Sequence, residues 1–320
     1  MSMLEEAGIT PEQQHFDQIY QFFLGENEVR NSIQEAIERQ TEFNTEMVIP
    51  VQYRPEATFA IQPITRASST LEGHSEAVLT CAFSPDGSKL VSGSGDTTVR
   101  MWDLATESPQ HTCEGHKGWV LYVAFAPDGK TFASAGMDHV ILLWDAETGK
   151  QVGKPLKGHK NFITSLAWEP LIKMTEQRRM ASSSKDKTVR IWDTRGQVCL
   201  RSLSSHTASI AKVLWGGEDL LYSASQDRTI KVWEPNTGIN VSELTGHAHW
   251  VNCLALSTDY VLRTGCFDHK KKEFDADTEA GQAEMKAYAV ERYRKALDAR
   301  GEILVSGSDD FTMHMWQPKR

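Results

Sequence analysis

The stretch LVSGSGDTTVRMWD, residues 90–103, returns four more times in this chain. FASAGMDHVILLWD occupies 131–144, MASSSKDKTVRIWD 180–193, LYSASQDRTIKVWE 221–234 and LVSGSDDFTMHMWQ 304–317. In every copy a serine precedes an aspartate by four residues and a tryptophan follows it by six. A histidine opens each unit: His74, His116, His159, His206 and His247, spaced 42, 43, 47 and 41 residues apart. A unit of this length cannot bury its own apolar face, so copies must stack on one another to make a core. Within the first unit, VLTCAFS, KLVSGS and TVRMWD alternate apolar and polar residues and are separated by the turns PDG and GD. That is the pattern of half-buried strands joined as hairpins. KQVGKPL, residues 150–156, predicts a fourth, outer strand in the second unit.

Gly-His opening and Trp-Asp closing a unit of about 40–45 residues reads as a WD-repeat β-propeller, a mainly β fold. Five repeats are placed at about 71–113, 114–156, 157–203, 204–244 and 245–320. The recurrent side chains form five sets. They are His74, Ser92, Asp96 and Trp102; His116, Ser134, Asp138 and Trp144; His159, Ser182, Asp186 and Trp192; His206, Ser223, Asp227 and Trp233; and His247, Ser306, Asp310 and Trp316. Serine, histidine and aspartate are also the members of a hydrolase triad. A nucleophile needs one site with an oxyanion hole, not five copies each tied to a tryptophan. The sets are therefore expected to be structural, running from aspartate through histidine and serine to the indole N–H. No catalytic residue is assigned.

The fifth unit departs from the pattern. After His247, Thr264 and Asp268 already stand at the Ser–Asp spacing, but a charged insertion at about 270–302 precedes Ser306. Met285, Tyr288, Ala289, Tyr293, Ala296 and Leu297 share one helical face within it. Thr278 is placed to cap the start and Gly301 to end it. Such a stripe either docks a partner or, more often, packs on its own domain.

Other candidates are weaker. Trp119, Phe162 and Trp250 take the same position in their repeats, where the first and fourth have Ala77 and Ser209. These aromatics either form a partner-binding patch or pack against the neighbouring blade. His247-Ala-His249 and Cys266-x-x-His269 supply no complete zinc set, because His247 belongs to the repeat. The basic cluster DHKKKE at 268–273 is too short to count as a nucleic-acid site. Five scattered cysteines without a C-x-x-C pair fit a reducing compartment. No signal peptide or membrane-spanning run is evident. Net charge is −9, and residues 1–60 account for −8 of it, with eleven acidic residues against three arginines. An acidic segment of this kind disfavours bare phosphate backbones and suits a cationic partner.

Longer stretches are more specific. YRPEATFAIQPITRASSTLEGHSEAVLTCAFSPDG, SGSGDTTVRMWDLATESPQHTCEGHKGWVL, GHAHWVNCLALSTDYVLRTGCFDH and LVSGSDDFTMHMWQP resemble the Notchless family of ribosome-assembly factors, from about residue 20 onward. The loop carrying AVERYRKAL is similar to that family's insertion. The resemblance implies an N-terminal ubiquitin-like (β-grasp) domain and an eight-bladed propeller. It also implies residence on the maturing large (60S) ribosomal subunit in nucleus and nucleolus. The ubiquitin-like domain would engage the metal-ion-dependent adhesion site of midasin, a large AAA ATPase. By that resemblance Glu46, just before MVIPVQY, is the carboxylate offered to the partner's Mg²⁺. Hard divalent ions favour oxygen ligands. The metal would be the partner's; the chain itself is expected to need no cofactor, small-molecule substrate or membrane. The alternative is a general WD-repeat scaffold, such as a ubiquitin-ligase substrate receptor or a Notch-pathway regulator.

Two departures from the family pattern bear on fold. Residues 1–59 are expected to form only a partial ubiquitin-like domain, with 60–320 the propeller. QIYQFFLGE, NEVRNSIQEAIERQ and MVIPVQY match the domain's second half, while Phe16, Ile19, Tyr20, Phe23 and Leu24 follow helical spacing where the family has a strand. Five repeats instead of eight predict an open arc with an exposed apolar flank, the expectation favoured over closure of five blades by ATFAIQPIT at residues 57–65.

Overall fold

The computed structural model describes residues 70–317, except 174, 176, 177, 269–271, 273, 275–277 and 298–300. By its contacts the chain divides into residues 1–67 and 68–320, and the description concerns the second unit alone.

Among the described residues of that unit, five antiparallel sheets follow one another. The first contains β1 (Val78–Phe83), β2 (Lys89–Ser94), β3 (Thr98–Asp103) and β4 (Ser108–Glu114). The second contains β5 (Val120–Phe125), β6 (Thr131–Gly136), β7 (Val140–Asp145) and β8 (Leu156–Lys157). The third runs β9 (Ile163–Trp168), β10 (Arg179–Ser184), β11 (Thr188–Asp193) and β12 (Val198–Ser204). In the fourth are β13 (Ile210–Trp215), β14 (Leu221–Ser225), β15 (Thr229–Trp233) and β16 (Asn240–Thr245). The fifth has three strands, β17 (Val251–Leu256), β18 (Leu304–Ser308) and β19 (Met313–Trp316). Each sheet is a meander in chain order, so β4, β8, β12 and β16 form the outer edges and β1, β5, β9, β13 and β17 the inner ones.

The fourth strand of the second blade is shorter than its sequence suggests. Regular pairing covers only Leu156 and Lys157, with a lone bridge between Trp144 and Gln151. Gly153 sits at φ +68° and Pro155 has no N–H to give, so the ladder breaks between them.

The core lies between blades, and strand alternation explains how one sheet serves two interfaces. In β7, Leu142 and Trp144 face the first blade and pack with Val99 and Met101. Ile141 and Leu143 face the other way, against Ile163, Leu166 and Met180 of the third blade. The third and fourth blades meet through Val189, Ile191, Ile210 and Trp215. The fourth and fifth meet through Ile230, Val232, Val251 and Leu304. Burying each such side chain stabilises the fold by roughly 1.5–3 kcal/mol.

That logic fails at both ends of the series. Met313 and Met315 hold the positions of Ile141 and Leu143, yet are 80% and 67% exposed against 0% and 3%. Val78 is 55% exposed where its counterpart Val120 is fully buried. Among the described residues, nothing covers the apolar faces of the first and last blades.

Among the described residues, the segment between β17 and β18 makes two helices, α1 (Asp259–Thr264), ahead of the insertion expected at about 270–302, and α2 (Glu279–Ala296). Thr278 caps α2, its hydroxyl accepting from Gly281 N at 3.1 Å. The helix ends at Ala296, with Leu297 already extended, five residues before the expected stop at Gly301. Met285, Ala289 and Tyr293 are buried against Leu220, Tyr222, Val261 and Leu262, so the stripe packs on its own domain. A cavity of about 290 Å³ runs between the inner strands and is floored by Asp259, Leu262 and Arg263 of α1. None of the described helices is long and apolar enough to cross a membrane.

Candidate functional site

Each recurrent set closes into one hydrogen-bonded chain. In the first blade, His74 Nδ1 lies 2.8 Å from Asp96 Oδ2, His74 Nε2 2.7 Å from Ser92 Oγ, and Trp102 Nε1 2.9 Å from the same Ser92 Oγ. The second blade repeats this with His116, Asp138, Ser134 and Trp144 at 2.8, 2.7 and 2.7 Å. The third does so with His159, Asp186, Ser182 and Trp192 at 2.8, 2.7 and 2.8 Å. His206, Asp227, Ser223 and Trp233 follow at 2.7, 2.8 and 2.8 Å. His247, Asp310, Ser306 and Trp316 complete the series at 2.9, 2.8 and 2.8 Å. The insertion's own pair, Thr264 and Asp268, takes no such role: Thr264 closes α1 and donates to Tyr260 O.

Direction follows from chemistry. A carboxylate only accepts, so each histidine carries its proton on Nδ1 and gives it to aspartate. Nε2 is then an acceptor, served by the serine hydroxyl, whose oxygen in turn accepts the indole N–H. Every donor in the chain is used. The carboxylates are supported further: Asp96 accepts from the Ser75 amide at 3.0 Å, the Thr98 amide at 2.9 Å and the Thr98 hydroxyl at 2.7 Å. Thr188, Thr229 and Thr312 donate in the same way to Asp186, Asp227 and Asp310. The second blade has Val140 there, and its amide reaches Asp138 only at 3.4 Å.

Burial alone would raise the carboxyls of Asp96, Asp138, Asp186 and Asp227. Hydrogen bonds from histidine, backbone amides and, outside the second blade, threonine outweigh it, and all four fall below the ordinary carboxylate value. At Asp310 the Thr312 hydroxyl is the largest influence, again downward. Burial depresses the His159 imidazole despite Asp186 beside it, which favours the neutral ring.

This arrangement joins strands; it does not present a nucleophile. Ser134, Ser182, Ser223 and Ser306 are fully buried and Ser92 nearly so. A hydroxyl that already serves an imidazole and an indole has no approach for a carbonyl carbon. Among the described residues no three of His, Cys, Asp and Glu converge as a metal site. Cys266 is a free thiol pushed up to about 11 by burial, and its sequence neighbour His269 lies outside the described residues. Cys113, equally free and buried, is also pushed up to about 11.

The aromatic candidates sit at one recurring joint. The carbonyls of Trp119, Phe162 and Trp250 accept from the amides of Met137, Lys185 and Asp309, as those of Ala77 and Ser209 do from Gly95 and Gln226. Each inner strand bulges just after this joint in all five blades. Side chains differ where the backbone does not: Trp119 and Trp250 are 48% and 44% exposed, whereas Phe162 is half-buried, 5.7 Å from the His139 ring and 5.3 Å from Lys185 Nζ.

Sequence reasoning missed a second ring beside it. Directly after each quartet aspartate comes a residue in the left-handed region: Thr97 (φ 68°), His139 (65°), Lys187 (70°), Arg228 (72°) and Phe311 (65°). These are three-residue hairpin loops in which a left-handed residue follows a tight turn. Glycine or asparagine would be the ordinary choice, so composition gave no signal; only the fixed distance from the aspartate marks the position. Glu46 lies outside the described residues.

A profile of the WD domain, G-beta repeat family matches residues 66–103, 107–145, 149–193 and 197–234, half of the chain. "Protein Notchless" of Drosophila melanogaster is 48% identical over 298 residues, 93% of this chain and 61% of that protein. "Ribosome assembly protein 4" of Saccharomyces cerevisiae is 44% identical over 282 residues, 86% of this chain and 54% of that protein. The chain thus spans little more than half to three fifths of the length of these relatives. Among solved structures, that of U3-55K superposes with a TM-score of 0.58 at 20% identity, over 77% of this chain and 63% of that one, a likeness of fold. Repeated quartets, stacked meanders and these identities together place the chain in the WD-repeat family, as a homologue of the Notchless proteins.

Proposed function

We propose that the chain is a non-catalytic adaptor in assembly of the large (60S) ribosomal subunit. The observation that carries this reading is its 44–48% identity to Notchless and to Ribosome assembly protein 4 across most of its length. The geometry supports the non-catalytic part, because all five Ser–His–Asp sets are consumed by internal bonding. The propeller would anchor on the pre-60S particle. The acidic N-terminal segment would present Glu46 to the adhesion-site Mg²⁺ of a midasin-like AAA ATPase, the partner hydrolysing the ATP. Such work belongs to nucleus and nucleolus.

Affinity purification of the tagged chain from nuclear extract tests the reading. Recovery of pre-60S particles, with midasin lost on Glu46→Ala while the particles remain, is the expected result. Recovery of ubiquitin-ligase subunits or Notch-pathway receptors without ribosomal proteins would replace it with the general scaffold reading.

A further inference from the structure

The axial end of the propeller where the quartets lie is defined by the loops before the inner strands and by the hairpins carrying the left-handed residues. At the opposite end, α1 crosses the channel between the inner strands. Phe267, just beyond α1, comes within 4 Å of the position a side chain would take at Gly129 in the second blade. The quartet end has no such cover among the described residues.

Its charge is unevenly spread. In the second to fourth blades this rim carries Lys117, Lys160, Lys185, Lys187 and Arg228, all exposed. The acidic side chains on these loops are Asp138, Asp186 and Asp227, and each is turned inward, its side chain 8–9% exposed against its histidine. Exposed acids fall on the first and fifth blades, at Glu72, Glu76, Glu114 and Asp309.

Aromatic planes are interleaved with the basic groups. Trp119 stands half out of the surface. Beside it in the series, His139, Phe162 and Lys185 form one stack bridging the second and third blades. His139, Lys187 and Arg228 project from left-handed backbone that short hydrogen-bonded hairpins fix in place. Flexible cations around a planar aromatic platform suit a chain of phosphates carrying stackable bases. An acidic peptide would use the cations and leave the planes idle.

We propose that the quartet-end rim of blades two to four binds single-stranded RNA, with Lys160, Lys187 and Arg228 on phosphates and Trp119 stacking a base. This deepens the ribosome-assembly reading and rests on it for the RNA-rich setting.

Fluorescence anisotropy of the full chain with a labelled oligouridylate tests it, at a length of about 12 nucleotides, within the ~4–16-nucleotide range of single-strand sites. The triple variant Lys160→Glu, Lys187→Glu, Arg228→Glu should weaken binding at least about tenfold. The slope of log affinity against log salt should fall by about 2, three contacts at ~0.7 each. Trp119→Ala should weaken binding roughly 5- to 100-fold with the salt slope unchanged. Lys272→Glu, on the insertion, should change nothing. Should the triple variant melt early, the charge-neutral pair Lys187→Gln, Arg228→Gln takes its place, with a slope change of about 1.4.

Absence of RNA binding by the unaltered chain, equal binding by these variants, or displacement of RNA by polyglutamate at equal concentration would overturn the proposal. The last outcome would assign the rim to an acidic peptide. Co-sedimentation with pre-60S particles is scored separately. Particles bound without oligonucleotide binding reject the rim alone; oligonucleotide bound without particles rejects the assembly reading.

Discussion

His247 and Asp310 are 63 residues apart in the chain and 2.9 Å apart in the fold. The other four His–Asp pairs span 21 to 27 residues. The fifth blade therefore rebuilds the same joint across an inserted pair of helices. Its closure depends on the base of the insertion, where buried Glu302 accepts from the Thr258 hydroxyl and from Gly217 N. Ser306→Ala should cost about 1–3 kcal/mol, because it strands the Trp316 indole N–H and the His247 ring nitrogen together. In a denaturant double-mutant cycle with Trp316→Phe, the double variant should lose less than the sum of the two single losses. Strict additivity would mean that the two groups do not share Ser306.

Val140 marks a gap in the second blade. Four blades place a threonine hydroxyl on the quartet aspartate, and this one does not. Val140→Thr should supply the missing donor to Asp138 and raise stability by about 0.5–1.5 kcal/mol. Urea midpoints measure it; a lower midpoint would show that lost apolar packing outweighs the new bond.

The acid limb of stability follows from the depressed groups. His159 favours its neutral form in the fold, so its contribution is complete above the ordinary value of 6.5 and erodes as pH falls below it. The five aspartates have folded values below the ordinary 3.8, so their contribution is complete above that value and is lost as pH falls toward the depressed ones. Thermal midpoints should decline gently below about pH 6.5 and steeply below about pH 4. Asp186→Asn should flatten the steep limb; an unchanged limb would separate acid unfolding from the quartets.

Gly217 sits under the Tyr293 ring, and a β-carbon there would lie 2.3 Å from it. Gly217→Val should lever α2 from the fourth blade and open it to proteolysis between Thr278 and Leu297. Tyr293→Leu in the same chain should restore part of the protection by making room. Unchanged cleavage in the single variant would show that α2 is not held there.

Met313 and Ile141 occupy one position in two blades, one 80% exposed and one fully buried. Met313→Lys should leave the melting midpoint nearly unchanged and reduce self-association seen by sedimentation. Ile141→Lys should cost at least about 3 kcal/mol through a buried unpaired charge. Equal losses at both sites would mean that the fifth blade's outer face is covered.

Spacing made the quartets and the blade count legible, since Ser, Asp and Trp recur at distances fixed by two hairpins. Thr278 was legible as a cap because its bond is local. The end of α2 was not: Gly301 is the stronger stop in sequence, but packing of Tyr293 on Gly217 and the extended turn at Leu297 end the helix sooner. α1 was hidden because Thr264 and Asp268 imitate the repeat spacing. The rim of left-handed residues has no compositional mark at all, its conformation being imposed by the aspartate before it.

Exchange of the indole N–H groups of Trp102, Trp144, Trp192, Trp233 and Trp316, followed by NMR, most directly tests whether the quartets are internal joints of a binding scaffold. Protection of all five well above that of exposed Trp119 and Trp250, with the quartet histidines held as Nδ1–H tautomers at neutral pH, is the predicted result. Rapid exchange at the five, with the quartet histidines carrying their proton on Nε2, would contradict it.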